Sequence, residues 1–86
     1  MAGVDEIRAG IGLANQKASE AIAALQQATL QLDEARTALM TATQGSAQDD
    51  VTQAHGLLAE AAQAIEGVRS TIMAGISSAD SYAARL

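Results

Sequence analysis

The 86-residue chain contains no Cys, Pro, Trp or Phe, and Tyr82 is its only aromatic residue. Without Cys there can be no disulfide and no Cys-based metal or redox site. The absence of Pro removes the strongest helix breaker, and runs of β-branched residues that would form strands are also missing. Hydrophobic residues make up 49% of the chain, and many of them are Ala, the residue of highest helix propensity. We therefore expect an all-α protein.

Basic residues are few and scattered. The chain has five Lys and Arg residues against ten acidic residues, and its net charge is −5. Nucleic-acid-binding proteins cluster basic residues to neutralise phosphates, no apolar run here is long enough to span a bilayer, and the acidic N-terminal segment lacks the basic start of a signal peptide. We expect no nucleic-acid partner, no membrane insertion and a cytoplasmic location, with export by a signal-peptide-independent route left open.

Apolar residues recur at alternating spacings of three and four in both halves of the chain, as in the helices of a coiled coil. If two such helices run antiparallel, residues whose numbers sum to 93 face each other, and this register pairs apolar residues throughout. One seam position is mostly large and the other mostly Ala, so the helices can approach closely. The predicted seam residues are Ile11, Leu25, Ala28, Leu32, Ala35, Leu39, Ala54, Leu58, Ala61, Ile65, Val68 and Ile72.

The segment between the two patterns carries turn signals. Gly45 is expected just past the end of the first helix, because Gly readily adopts the left-handed conformation. Ser46 is expected to cap the second helix, with Asp49 three residues later. The predicted organisation is a single helical-hairpin domain over residues 1–86, with helix 1 at about 4–43, a turn at about 44–48 and helix 2 at about 49–85.

One seam that is half Ala buries little apolar surface. A buried Leu or Ile contributes about 1.5–3 kcal/mol, whereas ordering the chain costs about 1.5 kcal/mol per residue. We therefore expect a partner, and dimerisation of two hairpins into a four-helix bundle is the natural completion. The candidate partner-binding residues outside the predicted seam are Ile22, Leu30, Met40, Leu57, Met73, Ile76 and Tyr82.

Residues with catalytic or metal-binding chemistry are nearly absent. His55 is the only His, and no nucleophile–base pair accompanies it. Paired acids such as Asp49 and Asp50 lack the spacing of a calcium loop and suit a helix N-terminus. We expect a non-enzymatic protein without a cofactor, a metal or a small-molecule substrate.

Two short motifs lie at the turn and at the C-terminal end. The turn reads Thr43-Gln44-Gly45, and Tyr82 is followed four residues later by Leu86. Together with the length and the two-helix pattern, these features resemble the WXG100 (ESAT-6-like) family, which carries Trp-x-Gly in the turn and, in one partner, a Tyr-x-x-x-Asp/Glu export signal. The chain keeps the Gly and the Tyr but has Thr43 in place of Trp and Leu86 in place of the acid. The resemblance implies paired hairpins, four-helix bundles and type VII secretion, and the Ala-rich, Cys-free composition resembles that of actinobacterial proteins.

Two functional hypotheses follow. In the first, the hairpin self-associates or pairs with a similar hairpin in the WXG100-like manner, as a type VII secretion substrate or partner. In the second, it is a cytoplasmic scaffold or adaptor whose apolar flank docks a helix of an unrelated protein.

Overall fold

The computed structural model describes residues 3–86. They form two α-helices, α1 (Val4–Ala42) and α2 (Asp49–Ala84), joined by a short turn. The helices pack antiparallel into a rod with extents of 64, 17 and 15 Å. The prediction of an all-α antiparallel hairpin is confirmed, and each helix ends one residue before its predicted bound. Within residues 3–86, neither helix has a segment long and apolar enough to cross a membrane.

Two hydrogen bonds between the helices indicate their register at the open end of the hairpin. The guanidinium Nε of Arg8 donates to the carbonyl oxygen of Ala83 at 3.4 Å. The amide Nδ2 of Asn15 donates to Oδ1 of Asp80 at 2.6 Å. The residue numbers of these pairs sum to 91 and 95, on either side of the predicted register. The first turn of α1 therefore lies beside the last turn of α2.

The end of α1 is closed by the residues of the turn itself. The carbonyl oxygen of Leu39 accepts two hydrogen bonds from Thr43, one from its backbone N–H at 3.0 Å and one from its Oγ1 hydroxyl at 2.6 Å. The N–H of Ser46 then donates to the carbonyl of Thr43 at 2.9 Å. Gly45 has a φ of +82° and is the one residue of 3–86 with positive φ. A left-handed residue at the third position of such a turn is typical of type II, which favours Gly there.

The start of α2 differs from the prediction. Its N-cap is Gln48, and no side-chain capping bond is present there. The hydroxyl of Ser46 instead accepts a hydrogen bond from the N–H of Gln48 at 3.4 Å, a local turn that competes with capping. The expectation that Ser46 caps α2 is thereby corrected, because Ser46 lies two residues before the cap position. Asp49 and Asp50 occupy the first turn of the helix, where negative charge is stabilised by the helix dipole.

Two glycines provide a matched test of this turn. An added Cβ would have nothing within 4 Å at either Gly45 or Gly56, so only the backbone conformation distinguishes them. Gly45→Ala should lower the free energy of unfolding by about 1 kcal/mol, because a left-handed conformation is unfavourable for Ala. Gly56→Ala should raise it by about 0.5–1 kcal/mol, because Ala is the better helix former. Urea denaturation followed by circular dichroism measures both, and a change of the same sign in the two variants would contradict the turn geometry.

Candidate interaction surfaces

The seam between the helices is built from half-buried residues. None of the side chains in residues 3–86 is fully buried. Residues of the two helices can be paired so that their numbers sum to 94. Over residues 11–43 and 51–83, this places every half-buried residue opposite a half-buried residue of the other helix, apart from Ala28, Ala54 and Ala59. The pairs are Ile11 with Ala83, Asn15 with Ala79, Ala18 with Ile76, Ile22 with Ile72, Leu25 with Arg69, Thr29 with Ile65, Leu32 with Ala62, Arg36 with Leu58, Leu39 with His55, and Thr43 with Val51.

Three predicted seam residues lie elsewhere. Ala35, Ala61 and Val68 are exposed, Val68 by 49%, which corrects the predicted seam at these positions. The other nine are half-buried: Ile11, Leu25, Ala28, Leu32, Leu39, Ala54, Leu58, Ile65 and Ile72. On a helix, the residues three and four positions after a given residue both lie next to it. The prediction placed the residue three positions after each large seam residue in the seam, whereas the structure places the residue four positions after it there. This brings Ile22 and Ile76 into the seam, where they bury more apolar surface than Ala would.

The predicted partner-binding residues also divide into two groups. Ile22 and Ile76 are half-buried in the seam, which corrects their assignment to an outer surface. The remaining five have exposed fractions between 46% and 61%: Leu30, Met40, Leu57, Met73 and Tyr82. Leu13 and Val68 are exposed to a comparable extent, although the sequence analysis placed Val68 in the seam. Large apolar side chains are therefore available to a partner on more than one side of the hairpin.

One side of the hairpin carries a row of mostly small residues, exposed except for the half-buried Ala28 and Ala54, which we call the alanine flank. In each helix these residues lie three or six positions after the mostly large seam position, whereas residues one position after it lie on the opposite side of the seam. The alanine flank comprises Ala14, Ala21, Ala24, Ala28, Ala35, Ala38 and Ala42 of α1, and Ala54, Leu57, Ala61, Ala64, Val68, Gly75 and Tyr82 of α2. It contains the alanines that the sequence analysis assigned to the seam. Polar residues interrupt it at Lys17, Gln31, Thr71 and Ser78, and Asp50 and Arg85 lie at its two ends.

The opposite side, which we call the polar flank, is lined by hydrogen-bonding and charged groups. Its residues are Ser19, Gln26, Asp33 and Met40 of α1, and Thr52, Ala59, Glu66, Met73 and Asp80 of α2. A shallow groove there is lined by residues of both helices, including Gln26 and Glu66. Asp80 accepts the hydrogen bond from Asn15 on this side. The polar flank therefore carries more polar and charged groups than the alanine flank, although Met40, Ala59 and Met73 interrupt it.

Two arginines of the seam extend toward the polar flank. Arg69 pairs with Glu66 at 2.6 Å, and Arg36 pairs with Asp33 at 3.9 Å. The hydrogen bond and the charge of Glu66 raise the pKa of Arg69. Their side chains are only 42% (Arg36) and 31% (Arg69) exposed, and the Nε atoms of both are buried with no hydrogen-bond partner within residues 3–86. The aliphatic stems cover the seam while the charged ends reach solvent.

Side chains that could bind a metal are not brought together in the part of the chain that the structure describes. Within residues 3–86 no three His, Asp or Glu residues come together as a metal site would require. His55 is half-buried in the seam beside Leu39 in the register above. Comparison with protein-family models, with curated proteins and with solved structures found no match to this chain. The exposed apolar residues and the two flanks are the features on which a function can be argued.

The buried arginine nitrogens generate a stability prediction. Arg69→Met should raise the free energy of unfolding by about 1 kcal/mol, because it removes an unsatisfied buried donor and keeps an apolar stem in the seam. Lys17→Met is the matched control, since Lys17 forms an exposed pair with Glu20 at 3.4 Å and surface pairs contribute little. Thermal and urea denaturation of both variants measures the difference. A larger loss of stability in Arg69→Met than in Lys17→Met would show that the pair with Glu66 outweighs the unsatisfied nitrogen.

Proposed function

We propose that the chain is a non-enzymatic interaction protein whose hairpin assembles with a second copy or with a similar hairpin into a four-helix bundle. The observation that carries the proposal is the amount of surface left uncovered. The hairpin exposes 6138 Å², whereas a compact folded monomer of 8.7 kDa exposes about 4,700 Å². The excess of about 1,400 Å² is larger than the roughly 800 Å² that each partner contributes to a standard interface.

The kind of surface supports the same proposal. Eight large hydrophobic residues have exposed fractions between 45% and 61%, and none of the residues 3–86 is fully buried. Covering the exposed half of each such side chain would contribute about half of the 1.5–3 kcal/mol that full burial gives. Two hairpins packed side by side cover those of these residues that lie on the contacting side without changing the helices, which is how four-helix bundles are completed.

The resemblance to the WXG100 family extends the proposal to a biological process. In that interpretation the assembled hairpin is a substrate or a partner of type VII secretion and leaves the cytoplasm without a signal peptide. The features that support it are the two-helix pattern, Gly45 in the turn and Tyr82 near the C-terminal end. Immunodetection in culture filtrates of the native host, with and without its type VII secretion ATPase, tests this extension. Equal amounts in the two filtrates would contradict it.

The assembly itself can be tested on the purified chain. Light scattering coupled to size-exclusion chromatography should give a mass about twice the 8.7 kDa of the monomer at micromolar concentration. The melting temperature should rise with protein concentration, because dimerisation couples to folding by mass action. A cooperatively folded monomer, with a melting temperature independent of concentration, would contradict the proposal and favour an adaptor that docks an unrelated helix.

A further inference from the structure

We infer that the outer face of α1 around Leu30 binds an amphipathic helix of another protein that carries Lys or Arg beside its apolar face. This inference goes beyond the proposed function, because the partner is a helix of opposite charge rather than a similar hairpin. Two properties of the hairpin carry it: the shape of the surface around Leu30, and the distribution of charge between the two ends of the rod.

Leu30 lies where two shallow grooves meet. Its side chain is 57% exposed, and it is the one residue that lines both grooves. The first groove crosses the polar flank toward α2. The second, which we call the outer groove, follows α1 toward the turn and is lined by Leu30, Asp33, Glu34, Thr37 and Ala38. Glu34 is two positions from the seam residues on either side of it, so this groove faces away from α2.

The dimensions of the outer groove suit a helical partner. Leu30 and Ala38 are eight residues apart, about 12 Å along α1, which corresponds to about two turns of a partner helix lying along it. The exposed Leu30 provides a large apolar contact, and the small Ala38 leaves room for a larger side chain of the partner. Amphipathic helices bind such surfaces with side chains three, four and seven positions apart.

The negative charge of the hairpin is concentrated in the half nearest the turn. Residues 24–70, which we call the turn half, contain six acids and two basic residues, a net charge of −4. The rest of the chain contains four acids and three basic residues, a net charge of −1. Both basic residues of the turn half are already paired, Arg36 with Asp33 at 3.9 Å and Arg69 with Glu66 at 2.6 Å. The field of the turn half therefore attracts a basic partner.

The carboxylates of the outer groove are available to such a partner. Glu34 forms no salt bridge within residues 3–86. Asp33 is 59% exposed and its contact with Arg36 is long, so this pair holds the carboxylate weakly. An acidic partner, in contrast, would have to displace Glu66 from Arg69 or Asp33 from Arg36 to reach a positive charge. New ion pairs therefore form with Lys or Arg and not with Asp or Glu.

The same charges disfavour other occupants of the outer groove. A second copy of this chain has more acids than basic residues in both halves of its hairpin, and its exposed Lys17 is paired with Glu20 at 3.4 Å. It would therefore face the groove with like charge. Nucleic acids and anionic membrane surfaces are repelled for the same reason. A helix with an apolar face and adjacent basic residues satisfies both the shape and the charge.

The experiment uses a synthetic amphipathic helix of about 18 residues, built from Leu and Lys with one Trp on its apolar face. Its counterpart carries Glu in place of Lys. The full chain has no Trp, so Trp fluorescence reports the peptide alone. The Lys peptide should bind with a blue shift of its emission, and binding should weaken as the salt concentration rises. Absence of binding by the Lys peptide, or equal binding by the two peptides, would overturn the inference.

Two leucines provide a matched test of the position. Leu30 and Leu13 are both on α1 and both 57% exposed. Leu30→Gln should raise the dissociation constant of the Lys peptide at least about 5-fold, because it removes the apolar contact where the grooves meet. Leu13→Gln should change it less than about 2-fold. An equal effect of the two variants would show that the peptide does not select this surface and would overturn the inference.

Two acids of the turn half separate the outer groove from the general charge. Glu34 and Glu60 are both exposed, and replacing either by Gln removes the same charge from the same half. Glu34→Gln should weaken binding of the Lys peptide about 3-fold at low ionic strength, and Glu60→Gln, on α2, less than about 1.5-fold. Equal losses would overturn the inference. The mass of the unmodified chain tests hairpin assembly separately, so the two proposals can fail independently.

Discussion

A pair of antiparallel helices can cover only one stripe of each helix, and most features of this protein follow from that constraint. The stripe here is half-buried along its length, and every other face of both helices meets solvent. The seam also contains groups that apolar packing does not favour, among them Asn15, Arg36, His55 and Arg69. Covering a second stripe by a partner is the direct way to add apolar burial to such a hairpin, since residues 3–86 form only these two helices.

The alanine-rich stripe shows why the fold was easier to predict than the seam. Apolar residues occupy three positions of some heptads, for example Leu58, Ala61 and Ala62, but only two in the stretch of Leu25, Ala28, Leu32, Ala35 and Leu39. A coiled-coil pattern with two seam positions per heptad is assigned to the two most apolar positions. These are the large residue and the Ala three positions after it. The structure instead pairs the large residue with the fourth following one, such as Thr29 or Arg36. Three apolar positions per heptad are typical of helices that face two neighbours.

The features that could be predicted are those decided by local chemistry. The helix bounds follow from composition and from turn residues, and the left-handed conformation of Gly45 follows from the ease with which Gly adopts it. The predicted register, in which paired residue numbers sum to 93, differs by one from the observed sum of 94. It came this close because a constant sum of paired residue numbers constrains both helices together. The rotation of each helix about its own axis could not be predicted, because Ala at the third position looks more favourable than Asn15 or Arg69 at the fourth. That choice depends on how Ile22, Ile72 and Ile76 pack across the seam as a set, and single-helix patterns carry no information on it.

The size of the exposed residues also bears on how the hairpin behaves as a single chain in solution. A flank of Leu residues would expose a continuous apolar patch of the kind that leads to nonspecific association. Alanine exposes much less apolar area, and the acids on the remaining faces give each chain a charge that opposes random contact. Affinity between alanine surfaces depends on close approach along the whole length, because each contact is small. A partner of such a flank would therefore have to be a straight helix of matching shape.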